Sequence, residues 1–282
     1  MYKILSNEMI VPNVHSVTIA APAVAKEAKP GQFAILRTED EGERIPLSLS
    51  DWDPDRGTIT LIVMNIGATT GTLASIPAGE SIPTVVGPLG NPTELGRFGT
   101  VVCLCGCYGI GSIYPIAKAL KAMNNRVVIV IEARSSFLLF WEDRLQSVCD
   151  DVVIITRDGS KGFRGHATRL PDVIESLGAP VDRVIINGCT LLLKRGSDAT
   201  RPLGIKTYVN LNPIMIDGTG MCGVCRVTVG GKTKFACVDG PDFDGHEVDW
   251  DELFHRRKAY VSEERVPLRT SVGEKCPNKT AR

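Results

Sequence analysis

The sequence predicts a β plus α/β protein in three parts: a small antiparallel β-barrel, a parallel-sheet domain and a small C-terminal module with clustered cysteines. Three observations predict this order. Short β-rich runs fill the first part, strands alternate with helices in the second, and three closely spaced cysteines mark the third. The length of 282 residues exceeds a usual single domain. We place the parts at residues 1–96, 97–210 and 211–250, followed by a helix and tail at 251–282.

The first part is predicted to be all β. Strand-length runs rich in β-forming residues are separated by turn clusters; the runs are HSVTIAA, GQFAILRT and GTITLIVMN, and the turns are AKPGQ, DWDPDRG and PAGES. Such close spacing without helical periodicity is typical of a small antiparallel barrel.

The second part alternates between strand and helix. The predicted strands are GTVVCLC, RVVIVIEAR, DDVVIIT and DRVIING, and the predicted helices are SIYPIAKALKAMNN, FLLFWEDRLQSVC, LPDVIESLG and TLLLKRGSDAT. This alternation indicates a parallel sheet with crossover helices, and the continuous Val/Ile runs fit strands that are covered on both faces. We expect Phe140, Trp141 and Cys149 to belong to its core.

Composition excludes some functions. Lys+Arg and Asp+Glu both total 32, so no basic excess favours a nucleic acid or a membrane surface as partner. The N-terminus lacks the apolar core of a signal peptide, and the longest apolar runs are strand-length. We therefore expect a cytoplasmic protein. Its nine cysteines then favour metal binding, redox chemistry or burial over disulfides.

The third part contains the pattern C-x2-C-x11-C, formed by Cys222, Cys225 and Cys237. Thiolates at this spacing typically hold a metal, but zinc and a 2Fe–2S cluster both take four ligands. His246 would complete a structural zinc site, and Cys276 is a further candidate from the tail. From the residues alone, the fourth ligand stays open.

A glycine-rich loop, GCYGIGS at residues 106–112, joins a predicted strand to a predicted helix. Backbone amides and the helix dipole can hold a phosphate at such a turn, although glycines there also serve backbone geometry alone. Cys103, Cys105 and Cys107 alternate along the preceding strand, which predicts one face of buried thiols rather than a metal site.

The first part carries two polar motifs. Arg44-Ile-Pro-Leu-Ser48 opens a strand, and Gly67-Ala-Thr-Thr-Gly-Thr72 follows about twenty residues later. An arginine can bind a phosphate with two hydrogen bonds, and a serine hydroxyl can bond a flavin edge. Each motif alone is better explained as a surface arginine or a turn.

Taken together, the parts resemble the ferredoxin–NADP reductase superfamily, because R-x-P-x-S, Gly87-Pro-Leu-Gly90 and the glycine loop follow one another in that order. The C-terminal segment, LNPIMIDGTGMCGVC with FACVDGP after it, resembles more closely the small subunit of the NADH-dependent ferredoxin:NADP oxidoreductases. That group is also described as a sulfide dehydrogenase subunit and is related to the dihydroorotate dehydrogenase electron-transfer subunit. The resemblance extends to about residue 260.

The resemblance implies FAD on the barrel, NAD(P) on the parallel-sheet domain and a 2Fe–2S cluster on the third part. It implies Asp217 as the fourth ligand beside the three cysteines, in the place of a first cysteine in the dihydroorotate dehydrogenase subunits. The implied FAD residues are Arg44, Pro46, Leu47, Ser48, Asn65, Gly67, Thr69 and Thr70. The implied NAD residues are Gly106, Gly109, Ile110, Gly111, Glu132, Arg134 and Cys189.

No catalytic residue beyond the cofactors is expected. The resemblance further implies a heterodimer with a larger flavin and iron–sulfur subunit, through which ferredoxin reacts. Glu132 beside Arg134 favours NAD(H) over NADP(H). Two alternatives stay open: a subunit of a dihydroorotate dehydrogenase, sulfide dehydrogenase or hydrogenase complex, and a zinc-stapled binding module without catalysis.

Overall fold

The first ninety residues form one antiparallel sheet in the structure, a computed structural model that describes residues 1–261. Its strands are β1 Tyr2–Val11, β2 Val14–Ala20, β3 Phe33–Arg37, β4 Ile45–Asp53, β5 Thr58–Met64, β6 Ser81–Ile82 and β7 Thr84–Leu89, with helices α1 Pro22–Glu27 and α2 Ala68–Ser75. The strand order is β6-β1-β2-β5-β4-β3-β7. Since only Pro83 separates the two edge strands, the sheet must curl until its edges meet, which forms the predicted barrel.

The second sheet is parallel. Its elements are β8 Thr100–Gly106, α3 Gly109–Ala122, β9 Arg126–Ala133, α4 Glu142–Gln146, β10 Asp151–Thr156, β11 Phe163–Arg164, α5 Leu170–Ser176, β12 Arg183–Asn187, α6 Thr190–Thr200 and β13 Lys206–Asn210, with 3-10 turns at Ser136–Leu138, Ala167–Arg169 and Arg201–Leu203. In the order β11-β10-β9-β8-β12-β13, successive strands are added on one side of β8 up to β11 and then on its other side from β12 onward. The switch point of the sheet therefore lies between β8 and β12. Ligands of open α/β sheets bind at the carboxyl ends of the strands at this switch point.

One predicted helix is much shorter in the structure. The stretch from Phe137 to Cys149 contributes only α4, because Trp141 has a left-handed backbone (φ 57°) and ends the preceding extended segment. The turn buries Phe140 and lets the Arg144 guanidinium stack 4.2 Å from the Trp141 ring centroid. Cys149 is only half-buried rather than in the core.

The C-terminal part is built on a hairpin and is attached to the second sheet. Its elements are β14 Arg226–Val229, β15 Lys232–Phe235, β16 Asp242–Asp244 and α7 Trp250–Arg257. Strand β16 pairs antiparallel with β13, so this part lengthens the parallel sheet by one strand. Half-buried Asp242 accepts hydrogen bonds from Thr93 (2.5 Å) and Asn210 (2.7 Å), and removal of its carboxyl from water raises the pKa of this group. Cys276 lies outside the described residues.

Two hydrophobic cores cross the boundaries between the three parts. The first joins Phe33 and Ile35 of the curled sheet to Val102 and Leu104 of β8 and to Cys237 in the C-terminal part. The second covers the other face of the parallel sheet, where α3 packs against the curled sheet. The three parts are therefore packed together and not merely linked along the chain.

Close packing of α3 on the curled sheet depends on Gly111. A methyl group at this position would overlap the Ile62 side chain and lie 2.7 Å from the Ser50 hydroxyl. A larger residue would force the helix and the sheet apart.

Within residues 1–261, no helix is both long enough and apolar enough to cross a membrane.

We predict that Gly111→Ala lowers the free energy of unfolding by about 1–3 kcal/mol, since it overpacks the contact between α3 and the curled sheet. The control is Gly71→Ala inside α2, where the added methyl meets only the Asn65 side chain at 3.2 Å. Alanine there is neutral or stabilises by up to about 1 kcal/mol because it favours helix. Chemical denaturation measures both variants, and equal changes would contradict this role of Gly111.

Candidate functional site

A cavity of about 360 Å³ lies where the three parts of the chain meet. Its volume is within the range of small-molecule and cofactor sites. The curled sheet contributes Ile45, Pro46, Leu47, Ser48, Ser50, Ile62, Met64, Ile66 and Thr70 to the wall, and the other two parts contribute Tyr108, Ser112, Gly188, Asn212, Met215, Pro241 and Arg257. The wall is mostly apolar with a few hydroxyl, amide and cationic groups.

Half of the predicted FAD residues line this cavity. Pro46, Leu47 and Ser48 follow one another on β4, and Thr70 lies in the first turn of α2. The Thr70 hydroxyl accepts a hydrogen bond from the Gly67 amide at 2.9 Å, so this predicted residue is occupied in shaping the helix N-terminus.

The other predicted FAD residues lie outside the cavity wall. Arg44, directly before β4, and Asn65, directly after β5, are both exposed. The buried Thr69 hydroxyl donates to the Glu43 carboxylate at 2.8 Å. Arg44 directly precedes Ile45, which lines the cavity, so the exposed arginine lies one residue from the cavity wall along the chain.

The glycine loop lies between β8 and α3 at the switch point, but its glycines are used in packing. A methyl on Gly106 would lie 2.7 Å from the Glu132 carbonyl oxygen, and one on Gly109 would overlap the Asn187 carbonyl. Ile110 is buried in the core, which leaves only its backbone for a ligand. These close contacts alone require glycine at both positions, whether or not a phosphate binds to the loop.

The residues of the loop that do reach the cavity are Tyr108 and Ser112, opposite Gly188. The buried Asn187 side chain donates to the Ser112 hydroxyl at 3.0 Å, and its Oδ1 has no partner in the described residues.

A polar network closes the cavity on the side of the C-terminal part. The Tyr108 hydroxyl donates to the Gly188 carbonyl at 3.0 Å and accepts from the Asn212 amide. The Arg257 guanidinium donates to the Asn212 side chain at 2.7 Å and to the Thr190 hydroxyl. Burial is the main cause that raises the pKa of Tyr108 to about 12, so it acts as a neutral hydrogen-bonding group.

Sequence reasoning missed this network. The aromatic side chain inside a glycine loop was a signal for Tyr108. Nothing local indicated Arg257, because it is distant in sequence and lies in a run of charges that is typical of a solvated helix.

The predicted NAD residues at the end of the second strand differ in environment. Glu132 is buried, and its two oxygens accept from Arg157 (3.0 Å) and from the Ala167 amide (2.6 Å). Arg134 is exposed. The carboxylate therefore holds the neighbouring loops in place, and a ribose hydroxyl would share it with Arg157.

Among the four predicted ligands in the cysteine loop, the structure shows two contacts: Cys225 with Cys237, and the Asp217 carboxylate with the backbone amide of Cys222. The Cys225 and Cys237 sulfurs are 3.2 Å apart and both residues are buried. Asp217 accepts hydrogen bonds from the amides of Thr219 (2.9 Å) and Cys222 (3.0 Å), which lower the pKa of its carboxyl. An ionised carboxylate has lone pairs left for a metal, and a two-iron cluster takes two donors on each iron. The donor set therefore fits a 2Fe–2S cluster.

His246 is engaged elsewhere. Its Nε2 is 3.0 Å from the Thr200 hydroxyl on α6, and Arg201 donates to its carbonyl. In the part of the chain that the structure describes, no three histidine, cysteine or acidic side chains surround a single ion position. The geometry does not favour a Cys3His zinc site.

The cysteine loop packs directly against the curled sheet. A methyl on Gly218 would lie 2.8 Å from Leu89 and 3.0 Å from Ile35, and Gly218 has a positive φ of 76°. Met215, two residues before Asp217, lines the cavity. The segment that leads into the cluster loop therefore also forms part of the cavity wall.

Comparison with known proteins agrees with this arrangement. Residues 212–249 match the model of the iron–sulfur cluster binding domain of dihydroorotate dehydrogenase B. The chain is 43% identical over 266 residues to a dihydroorotate dehydrogenase B (NAD(+)) electron transfer subunit homolog of Thermotoga maritima, covering 94% of this chain and 93% of that one.

Two solved structures are similar as well. A chain of an NADH-dependent reduced ferredoxin-NADP oxidoreductase, described for flavin-based electron bifurcation, has a TM-score of 0.91 and 41% identity over 96% of this chain and 98% of that one. A ferredoxin NADP+ reductase from Neisseria gonorrhoeae with bound FAD and NADP shares the fold, with a TM-score of 0.61 and 19% identity over 72% of this chain and 90% of that one.

We predict that Ser48→Trp fills the cavity and lowers bound flavin about tenfold or more, equivalent to ~1.4 kcal/mol of binding free energy. The matched control is Ser75→Trp, at the exposed far end of α2. Flavin per chain in purified protein is measured by absorbance after denaturation. Normal flavin content in the Ser48 variant would show that the cavity is not the flavin site.

Proposed function

This chain belongs to the family of the dihydroorotate dehydrogenase B electron transfer subunits and their homologues, and we propose that it transfers electrons between NAD(H), FAD and a 2Fe–2S cluster. It is an NAD-dependent flavoprotein oxidoreductase subunit that exchanges these electrons with a larger partner. The resemblance of its sequence to this group and its predicted fold class are both confirmed by the comparisons.

One observation carries the proposal: residues from all three parts line the same cavity. Leu47 comes from the curled sheet, Gly188 from the switch point of the parallel sheet and Met215 from the segment before the cluster loop. A flavin in this cavity would touch the nucleotide edge on one side and the cluster segment on the other. Electron exchange between carriers requires such adjacency.

A bound FAD would supply the conversion between the two-electron hydride of NADH and the single electrons that a 2Fe–2S cluster carries. The chain itself supplies position and environment. Pro46, Leu47 and Met64 cover an apolar face and exclude water, while Tyr108 and Asn212 fix the polar rim. Arg257 places a positive charge at the same rim, where it would stabilise negative charge on a bound flavin.

The surface around the cluster loop is suited to a partner subunit. Cys225 and Cys237 are buried, whereas Cys222 is exposed. Three large apolar side chains are exposed in and beside this loop, namely Ile216 (46%), Met221 (88%) and Val238 (43%). Exposed apolar side chains that cluster together typically mark a protein interface.

We propose that this partner is a larger flavin and iron–sulfur subunit, and that ferredoxin and NADP(H) react there. The similarity to the NADH-dependent reduced ferredoxin-NADP oxidoreductase over nearly the full length supports this form of the complex. The aspartate at position 217, among three cysteine ligands, points to the same group. A dihydroorotate dehydrogenase, sulfide dehydrogenase or hydrogenase complex is the alternative, and the names of other relatives support the first of these three.

NAD(H) rather than NADP(H) is the proposed nucleotide. The buried Glu132 carboxylate at the end of β9 would repel a 2′-phosphate, and Arg157 beside it is already paired with this carboxylate. We also propose a cytoplasmic location, because NADH is the proposed electron donor and because none of the eight cysteines of residues 1–261 is in a disulfide.

The proposal is tested on protein purified without oxygen, by counting FAD, iron, acid-labile sulfide and zinc per chain and then adding NADH. We expect one FAD, two irons and two sulfides, with flavin absorbance bleached by NADH. Cys237→Ser should lose the cluster and keep the flavin, whereas the control Cys149→Ser should keep both. A colourless protein with one zinc per chain would contradict the proposal and support the binding-module alternative.

We predict that Asp217→Cys retains a 2Fe–2S cluster and changes its midpoint potential, because a thiolate is a softer and more covalent iron ligand than a carboxylate. Redox titration followed by electron paramagnetic resonance measures the change. The control Asp251→Cys places the same substitution on exposed α7 and should leave the potential unaltered. An unchanged potential in the Asp217 variant would show that this carboxylate does not ligate the cluster.

A further inference from the structure

Two cysteines from different strands meet at the switch point of the parallel sheet. Cys107 directly follows β8, and Cys189 follows Gly188 after β12 and forms the N-cap of α6. Asn187 at the end of β12 pairs with Cys105 on β8, so the two cysteines stand at corresponding positions just beyond neighbouring strands. The two backbone segments are in contact there, since a methyl on Gly188 would lie 2.9 Å from the Gly106 carbonyl oxygen. Cys107 and Cys189 therefore lie side by side in the two loops that form the nucleotide edge of the cavity, where they shift each other's pKa in opposite directions.

The position of Cys107 departs from its expected place on the strand. Cys103 and Cys105 are fully buried on one face of β8, as predicted, but Cys107 lies beyond the strand with a left-handed backbone (φ 54°). This backbone region is unfavourable for a residue other than glycine, so the surrounding structure holds Cys107 there. This backbone turn brings its side chain to Cys189 instead of into the core.

The surroundings make the pair asymmetric. The hydrogen bond from the Cys107 thiol is the largest cause that lowers the pKa of Cys189 to about 6. The Leu192 amide in the first turn of α6 and the Arg157 guanidinium act in the same direction, against burial and the Glu132 carboxylate. The same hydrogen bond raises the pKa of Cys107. At neutral pH, Cys189 is the thiolate and Cys107 holds the shared proton.

Reactive cysteines combine a thiolate, partial exposure and a second thiol that resolves the first oxidation product. Cys107 and Cys189 are both partly exposed and meet these conditions. Buried Cys103 does not, because burial raises its pKa to about 12.

We propose that Cys107 and Cys189 form a redox modification site, in which a peroxide converts the pair into a reversible disulfide that locks the nucleotide edge of the cavity. The Cys189 thiolate attacks the peroxide, an S–O bond forms, the O–O bond breaks and the leaving hydroxide takes a proton to become water. Cys107 then attacks the resulting sulfenic acid, which forms the S–S bond and releases a second water. Two thiols and one hydrogen peroxide thus give one disulfide and two waters, and the two electrons pass from sulfur to peroxide.

A dithiol reverses the step by two thiol–disulfide exchanges and leaves as its own disulfide. The consequence for NADH rests on the proposed function: the crosslink would fix the loop of residues 106–109 against Gly188, where a nicotinamide is expected to enter. The chemical modification itself does not depend on that function.

The modification is tested on the holoprotein by graded treatment with hydrogen peroxide, alkylation of the remaining thiols and peptide mass spectrometry without reductant. We expect a crosslinked peptide that joins Cys107 to Cys189 and disappears after treatment with dithiothreitol. Cys107→Ser should give no crosslink and should oxidise Cys189 further to sulfinic acid, whereas the control Cys149→Ser should behave as the wild type. If the wild type shows no crosslink while Cys189 is unmodified or over-oxidised, the proposal is wrong.

The effect on the nucleotide edge is measured as the rate at which NADH bleaches the bound flavin, with each protein compared to its own untreated sample. We expect peroxide to slow the wild type and dithiothreitol to restore it, while in Cys107→Ser dithiothreitol should restore none of the rate that peroxide removes, because sulfinic acid is not reduced by a dithiol. An unchanged rate in a fully crosslinked wild type would overturn the locking of the nucleotide edge. Failure of the untreated protein to react with NADH would contradict the proposed function instead, and the crosslinked peptide would still decide the modification site.

We also predict the pH profile of Cys189 alkylation by iodoacetamide. Alkylation should rise with pH through about 6 in the wild type, because the Cys107 hydrogen bond stabilises the thiolate against the nearby Glu132 carboxylate. Cys107→Ala removes the donor and should move the profile to higher pH, which slows alkylation at pH 7. Identical profiles for the two proteins would show that the thiols do not interact.

Discussion

The packing of the three parts into common hydrophobic cores is the constraint on which the rest of the structure depends. Phe33 and Ile35 of the curled sheet lie in the same core as Val102 of the parallel sheet and Cys237 of the cluster loop. Burial of this kind contributes roughly 25 cal/mol per Å² of apolar surface, so the parts are more stable together than apart. The cavity is the space left where their surfaces meet, so the rigidity of its walls depends on this packing.

Electron transfer explains why a shared core is useful. A carrier that accepts hydride on one side and releases single electrons on the other needs both partners at fixed positions. Here Gly111 allows α3 to touch the curled sheet, and Gly218 allows the cluster loop to touch it from another direction. The pairing of β16 with β13 then ties the cluster module to the sheet that carries the switch point. Domain motions that would separate the carriers are opposed at three independent contacts.

Much of the fold could be predicted from the sequence because it is encoded locally. Continuous Val/Ile runs and alternating helices determine the parallel sheet, and the cysteine spacing determines the cluster loop. The failures arose where contacts between distant residues decide the outcome. Trp141 has a left-handed backbone that lets Arg144 stack on its ring, and the Glu132 carboxylate is paired with Arg157, which directly follows the next strand. Arg257 reaches the cavity from a helix whose local pattern shows only a charged surface.

The central claim, that the three parts share one core and fold as one unit, is tested most directly by equilibrium unfolding of single-tryptophan variants. The three tryptophans divide among the parts, with Trp52 on β4, Trp141 before α4 and Trp250 at the start of α7. Keeping one and replacing the other two by phenylalanine gives one fluorescence probe for each part. We predict that the three holoproteins have coincident denaturation midpoints. A cluster module that unfolds at clearly lower denaturant, with the two sheets intact, would contradict it.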